Sequence, residues 1–259
     1  MTKFFGLALS FLFWSCVQDP HEVSKIEGDV VTISDSLVKD ESLEVFISPY
    51  RTRITEEMEG VLAYTPKAMT KSDFKLNTPI GNMMADAVME MASPIFEKRT
   101  GNTIDLVILN YGGIRSGINA GNISTRTAFN IMPFENEVAV AELTSDELNT
   151  LVDYLVQNKV AHPIAGLQVI LDAEGELKKA KVNGEQISLL DSNEKTHNRP
   201  YYVATSDYLV KGGDQMSFFL NSKAIYTLDY KLRNIFIDYF HKKDTITPKR
   251  DQRFIQLQN

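Results

Sequence analysis

The chain is poor in several groups on which other proteins depend. It has one cysteine, Cys16, in 259 residues, so no intrachain disulfide can form. Only four histidines occur, His21, His162, His197 and His241. No Gly-x-Ser-x-Gly elbow is present for a serine hydrolase, and no Cys/His dyad for a thiol enzyme. Basic residues are outnumbered, 27 against 34 acidic, giving a net charge of −7. That balance argues against a nucleic-acid backbone binder, which normally shows a basic face. It leaves a single nucleotide open as a ligand, because a few local cations suffice for one phosphate. No apolar run reaches the ~20 residues of a membrane-spanning helix. Internal repeats and low-complexity tracts are absent too.

What remains is an ordinary globular composition, 43% hydrophobic and 24% charged. A chain of this size can bury a core without disulfides or a structural metal. Its first residues read as an export signal. Lys3 precedes the eleven apolar residues 4–14, which end in Phe13-Trp14-Ser15-Cys16. The segment resembles a bacterial lipoprotein signal, with Cys16 as the residue that would be lipidated. Phe13 and Trp14 depart from the small or aliphatic residues usual there, and a leftover free thiol is the alternative. The organisation expected is a signal peptide over 1–15, a polar tether over 16–40 and one domain over 41–259. The product would be an exported, membrane-anchored lipoprotein on the periplasmic or cell-surface side of a bacterial envelope.

Along the domain, helical and extended patterns mix without a regular βαβ rhythm, which predicts an α+β fold of mixed sheets flanked by helices. Leu43, Phe46, Ile47, Tyr50, Ile54 and Met58 recur at helical spacing. A second helix opens at Thr78-Pro79, where Thr can cap and Pro suits the first helical position. Its Met83, Met84 and Met91 read as core rather than as a cofactor box. Strands are expected at 104–109, 137–143, 167–171 and 201–205, with one or two more within 178–190. Thr144 and Glu147 form a capping box for another helix. A last amphipathic helix is expected over 229–242, and His162 and His197 at turns or the surface.

Two glycine loops carry the candidate chemistry. The first reads Asn110-Tyr111-Gly112-Gly113-Ile114-Arg115. Paired glycines let backbone amides approach a ligand, and an arginine fork suits phosphate or ribose oxygens. Met132-Pro133-Phe134-Glu135-Asn136 follows, with Phe134 either tucked into the core or exposed as a stacking surface. The second loop, residues 206–214, holds Tyr208, Gly213 and Asp214. A carboxylate is a common acceptor for vicinal ribose hydroxyls. Each piece alone is ambiguous.

In this order, together with Ile80-Gly81-Asn82-Met83-Met84-Ala85-Asp86-Ala87 and residues 140–148, these blocks resemble the C-terminal domain of the 5′-nucleotidase family. The resemblance runs from about Leu43 to the end and includes a helix similar to the one joining that family's two domains. It implies a nucleotide- or nucleoside-binding domain. Phe134 and Tyr208 match the two rings that sandwich the base, and Asp214 matches the ribose carboxylate. Asn110, Arg115 and Asn136 match polar contacts, with Gly112, Gly113 and Gly213 in the loops that present them. Three departures stand out: Tyr208 where the family usually has Phe, Tyr111 where it usually has Gly, and Lys71 and Lys75 where it has arginine.

Hydrolysis in that family belongs to an N-terminal metallophosphatase domain with two divalent ions and a Gly-Asn-His segment. No Gly-Asn-His occurs here. Asp19-Pro20-His21 and Gly28-Asp29 copy two metal motifs superficially, but eight residues apart and inside the tether. The chain is therefore expected to hold no metal or other cofactor and to be silent alone. It would work in nucleotide catabolism with a separately encoded metallophosphatase domain. The alternatives are a surface lipoprotein that captures nucleosides or nucleotides without chemistry, and a remnant whose pocket has decayed. No nucleic-acid partner is expected.

Overall fold

A computed structural model describes residues 25–187 and 199–258. The signal segment, Cys16, His21, His197 and the chain between 188 and 198 lie outside the described residues. The chain divides into two units, residues 1–48 and 49–259.

In the first unit, residues 25–40 are exposed and carry no helix or strand. Helix α1 spans Glu41–Glu59. Asp40 starts it, its carboxylate accepting from the Ser42 amide at 2.9 Å and the Leu43 amide at 3.2 Å. Sequence periodicity located this helix, but α1 has no buried residue. Leu43, Phe46, Ile47, Tyr50 and Ile54 are all exposed. The spacing shows which residues share a face and says nothing about what covers it.

The second unit is built on a five-stranded sheet in the order β10-β4-β9-β2-β5. Its strands are β2 (Leu106–Ile108), β4 (Glu137–Leu143), β5 (Ile164–Ala165), β9 (Tyr201–Ser206) and β10 (Ala224–Lys231). Successive side chains of a strand point to opposite faces, and here both faces are covered. Val138 and Val140 join one core cluster with Val107, Leu109 and Ala204. Ala139, Ala141 and Leu143 join the other with Leu106, Ile108 and Val203. This two-sided burial is why β2 reads as a continuous apolar run rather than an alternating one.

The first face is covered by α2 (Pro79–Thr100) and α6 (Leu232–Lys243). Thr78 caps α2, its side chain accepting from the Gly81 amide, with Pro79 at the first position as the sequence predicts. Met83 and Met84 are core residues, 1% exposed each. The second face is covered by α4 (Ser145–Asn158) and by a four-stranded sheet in the order β11 (Phe254–Gln256), β6 (Leu167–Leu171), β7 (Leu177–Val182) and β8 (Glu185–Gln186). The capping box of α4 forms as expected: the Thr144 amide donates to Glu147 Oε2 at 2.8 Å and the Glu147 amide to Thr144 Oγ1 at 3.4 Å.

Several features depart from the sequence reading, β5 and β10 among them, since neither was named there. The pair β1 (Val61–Thr65) and β3 (Gly121–Ser124), helix α3 (Thr125–Ile131) and strand β11 (Phe254–Gln256) had no local signal strong enough to be named. The last helix starts at Leu232, not Asp229, because β10 runs through to Lys231 as the edge strand beside β4.

Polar side chains fasten the C-terminal segment to the start of α2. Asn77 Nδ2 donates to the carbonyls of Asp251 at 3.1 Å and Phe254 at 2.7 Å. Asn82 donates to the Lys249 carbonyl at 2.9 Å. Arg253 forks onto Asp86 at 2.8 and 3.1 Å and reaches the Ile164 carbonyl at 2.7 Å. Asn77 is 2% exposed, so water cannot replace it. Asn77→Ala should lower stability by about 2 kcal/mol or more, as buried carbonyls left without donors do. Urea unfolding with an unchanged m-value would measure it, and a shift under a few tenths would discount this tie.

Candidate functional site

The topology gathers distant loops at one end of the five-stranded sheet. Strands β2 and β9 run parallel, with Leu106 opposite Val203. Strand β4 is antiparallel to β9, Val138 lying opposite Ser206. The segment after β2, the segment after β9 and the segment before β4 therefore emerge at the same edge. Strand β5, antiparallel to β2 with Ile164 opposite Ile108, brings His162 to that edge as well.

There, Asn110, Gly112, Gly113, Arg115, Phe134, Asn136, Tyr208 and Asp214 line one cavity of about 380 Å³. Eight of the residues singled out from the sequence thus share one space. Phe134 and Tyr208 are 41% and 43% exposed, so their rings present surface rather than fill core. Gly213 supports one of them: a Cβ there would stand 2.5 Å from the Tyr208 ring, closer than any real side chain tolerates. Gly113 is fixed similarly, since a Cβ would come within 2.7 Å of Asn110 Oδ1.

Asp214 is the centre of the polar network. Asn110 Nδ2 donates to its Oδ2 at 2.7 Å, and the Tyr208 hydroxyl donates to its Oδ1 at 3.0 Å. The Tyr154 hydroxyl holds the Asp214 carbonyl at 3.0 Å. Asp214 and Gln215 both have positive φ, 50° and 62°. Aspartate tolerates the left-handed region better than most side chains, and these bonds hold it there. The Tyr208 hydroxyl does what a phenylalanine could not, tying ring and carboxylate together. Arg115 donates to the Gly112 carbonyl at 3.2 Å, and its guanidinium lies 5.7 Å from the Phe134 ring centre.

The lysines are placed differently. Lys71 sits over the Tyr111 ring, 4.6 Å from its centre, and neither lines the cavity. Lys75 lines a separate cavity of about 420 Å³ with Arg250, Gln256 and Gln258. Leu76 beside it is buried in the core.

Two residues under the site carried no sequence signal. His162, expected at a turn or the surface, is 6% exposed. Its Nδ1 accepts from the Tyr111 amide at 3.2 Å, and Nε2 lies 3.4 Å from the Tyr154 hydroxyl. It belongs to the floor of the first glycine loop, carried there by β5, whose Ile164 lies opposite Ile108. His241, by contrast, lies within the expected last helix, exposed on α6. Tyr154 comes from α4, far along the chain from both glycine loops, and only the fold brings it in.

The donor set does not fit a divalent pair. The cavity offers one carboxylate, Asp214, with both oxygens already hydrogen-bonded. Among the described residues no three His, Cys, Asp or Glu side chains are grouped as a metal would require. No helix among them is long and apolar enough to cross a membrane.

The 5′-nucleotidase C-terminal domain family matches residues 58–221. The chain belongs to this family. It is 24% identical over 252 residues to the trifunctional nucleotide phosphoesterase protein YfkN of Bacillus subtilis, covering 91% of this chain and 16% of that protein. Against the 5′-nucleotidase of Diplobatis ommata it is 20% identical, covering 93% of this chain and 44% of the other. The chain thus spans less than half the length of these curated relatives. A 5′-nucleotidase precursor from Thermus thermophilus shares the fold, with a TM-score of 0.65 at 18% identity over 85% of this chain and 43% of that one. The family and the α+β class inferred from the sequence blocks both hold.

Burial holds the His162 imidazole below its ordinary 6.5, against the opposing pull of the Leu109 backbone and the Asp214 carboxylate. The fold favours the neutral ring, so this contribution is full above 6.5 and is lost as pH falls through the lower folded-state value. As pH falls below 6.5, wild type should lose more thermal stability than His162→Gln. Parallel loss in both proteins would remove His162 as the cause.

Proposed function

We propose that this domain holds the nucleoside part of a nucleotide, as the substrate-binding half of a 5′-nucleotidase-type phosphohydrolase. One observation carries the reading: two exposed rings, Phe134 and Tyr208, border the same cavity as the Asp214 carboxylate. A base offers a π-face to either ring, worth roughly 1–3 kcal/mol each. The carboxylate can accept from vicinal ribose hydroxyls, sharing its lone pairs with Tyr208 and Asn110. Arg115 supplies a cation with a planar fork for phosphate oxygens. The relatives, a nucleotide phosphoesterase and a 5′-nucleotidase by name, support the same class of ligand.

Water activation by a divalent pair would, in this reading, be supplied by a separate metallophosphatase-domain protein. What this chain's own residues contribute is capture and orientation. Binding substrate and transition state equally lowers no chemical barrier. The isolated chain, given Mn²⁺, Zn²⁺ or Co²⁺, should release no phosphate from AMP above a protein-free control. Addition of the metallophosphatase partner should bring turnover that Phe134→Ala impairs. Metal-dependent release by this chain alone would overturn the division of labour, and binding without turnover in the mixture would leave a capture protein.

Calorimetry with adenosine tests the site itself. Phe134→Ala and Tyr208→Ala should each weaken binding by roughly 1–3 kcal/mol without unfolding the domain. Asp214→Asn should lose more affinity for adenosine than for its 2′,3′-dideoxy analogue, since only the former has the vicinal donors. Equal losses would give Asp214 a purely loop-shaping role.

A further inference from the structure

The wall that carries Phe134 is an irregular stretch, residues 132–136, between α3 and β4. Nothing in its own backbone fixes the ring, yet three consecutive residues from the start of α6 hold nearly all of it. The Leu232 amide donates to the Asn136 carbonyl at 2.9 Å. Lys231 and Arg233 both pair with the Glu135 carboxylate. Arg233 Nη1 reaches two successive carbonyls, Pro133 at 3.4 Å and Phe134 at 3.3 Å. Its guanidinium also lies 4.0 Å from the centre of the Phe129 ring, so the fork is sandwiched between α3 and the loop.

Arg233 is an expensive residue to have there. Its side chain is 7% exposed, and Nε has no hydrogen-bond partner. A cation in the first turn of a helix also opposes the helix dipole. Native folds rarely keep such a buried, incompletely satisfied group without a geometric return. The return visible here is the fixed course of the loop that bears the ring.

We infer that Arg233 is a positioning residue for the Phe134 ring: it fixes the ring's attitude to the cavity through the Pro133 and Phe134 carbonyls. It does not line the cavity itself. The inference rests on the stacking role proposed for Phe134, but the clamp can be judged without any ligand. Lysine keeps the charge and the stem but lacks the planar fork that spans two carbonyls.

The test uses the full chain with Arg233→Lys, Arg233→Met and Phe134→Ala. In the ligand-free protein, hydrogen exchange at the 134–136 amides should speed up about ten-fold in Arg233→Lys, with exchange in β4 unchanged. The adenosine Kd should rise about five-fold or more. In a Phe134→Ala background the same Arg233 change should have no further effect on Kd, because it acts only through the ring. Arg233→Met should repeat the pattern more strongly where it folds, and Arg233→Lys carries the test where it does not. Unchanged exchange at 134–136, or losses in Kd that simply add, would overturn the inference. If Phe134→Ala leaves adenosine binding unchanged, the stacking reading fails instead, and exchange alone decides whether Arg233 holds the loop.

Discussion

Everything else in this domain depends on a sheet buried on both faces. Side chains from β4 feed two separate cores in alternation, Val138 and Val140 to one, Ala139, Ala141 and Leu143 to the other. With both faces occupied by packing, only the strand ends remain for chemistry. The parallel pairing of β2 with β9 and the antiparallel pairing of β4 with β9 put the useful ends together. Loops with little structure of their own are thus held by rigid strands on either side of one cavity. This is a common division between scaffold and site.

Within the site the same logic repeats on a smaller scale. Asp214 is held by Asn110, Tyr208 and Tyr154, which come from three different segments. A ligand entering the cavity meets an acceptor already oriented, so little ordering remains to oppose binding. The Tyr208 hydroxyl makes ring and carboxylate one unit. Displacement of either would therefore disturb both.

Local signals in the sequence were readable where local physics decides. The Thr78 cap, the Thr144–Glu147 box and the alternation of β4 depend on neighbours within a few residues. The cavity residues were readable for a different reason: their order along the chain resembles a known family, and the fold then set eight of them around one space. What stayed hidden depends on partners far away. Strands β1 and β3 are short and define each other, and β11 is a strand only because β6 lies beside it. The apolar stripe of α1 shows the limit from the other side, since correct periodicity did not imply burial. His162 and Arg233 carried no motif, because their roles arise from atoms more than fifty residues away in sequence.

The cavity's parts come from positions 110, 134, 162, 208 and 214, and the loop at 134 is held by residue 233. Read in the order of synthesis, this means that no N-terminal portion of the chain can own the site. A growing polypeptide has its first glycine loop long before Asp214 exists to meet Asn110, and Phe134 before α6 exists to hold its loop. Occupancy of the cavity therefore rewards only the completed fold, and a bound molecule stabilises that state alone by mass action.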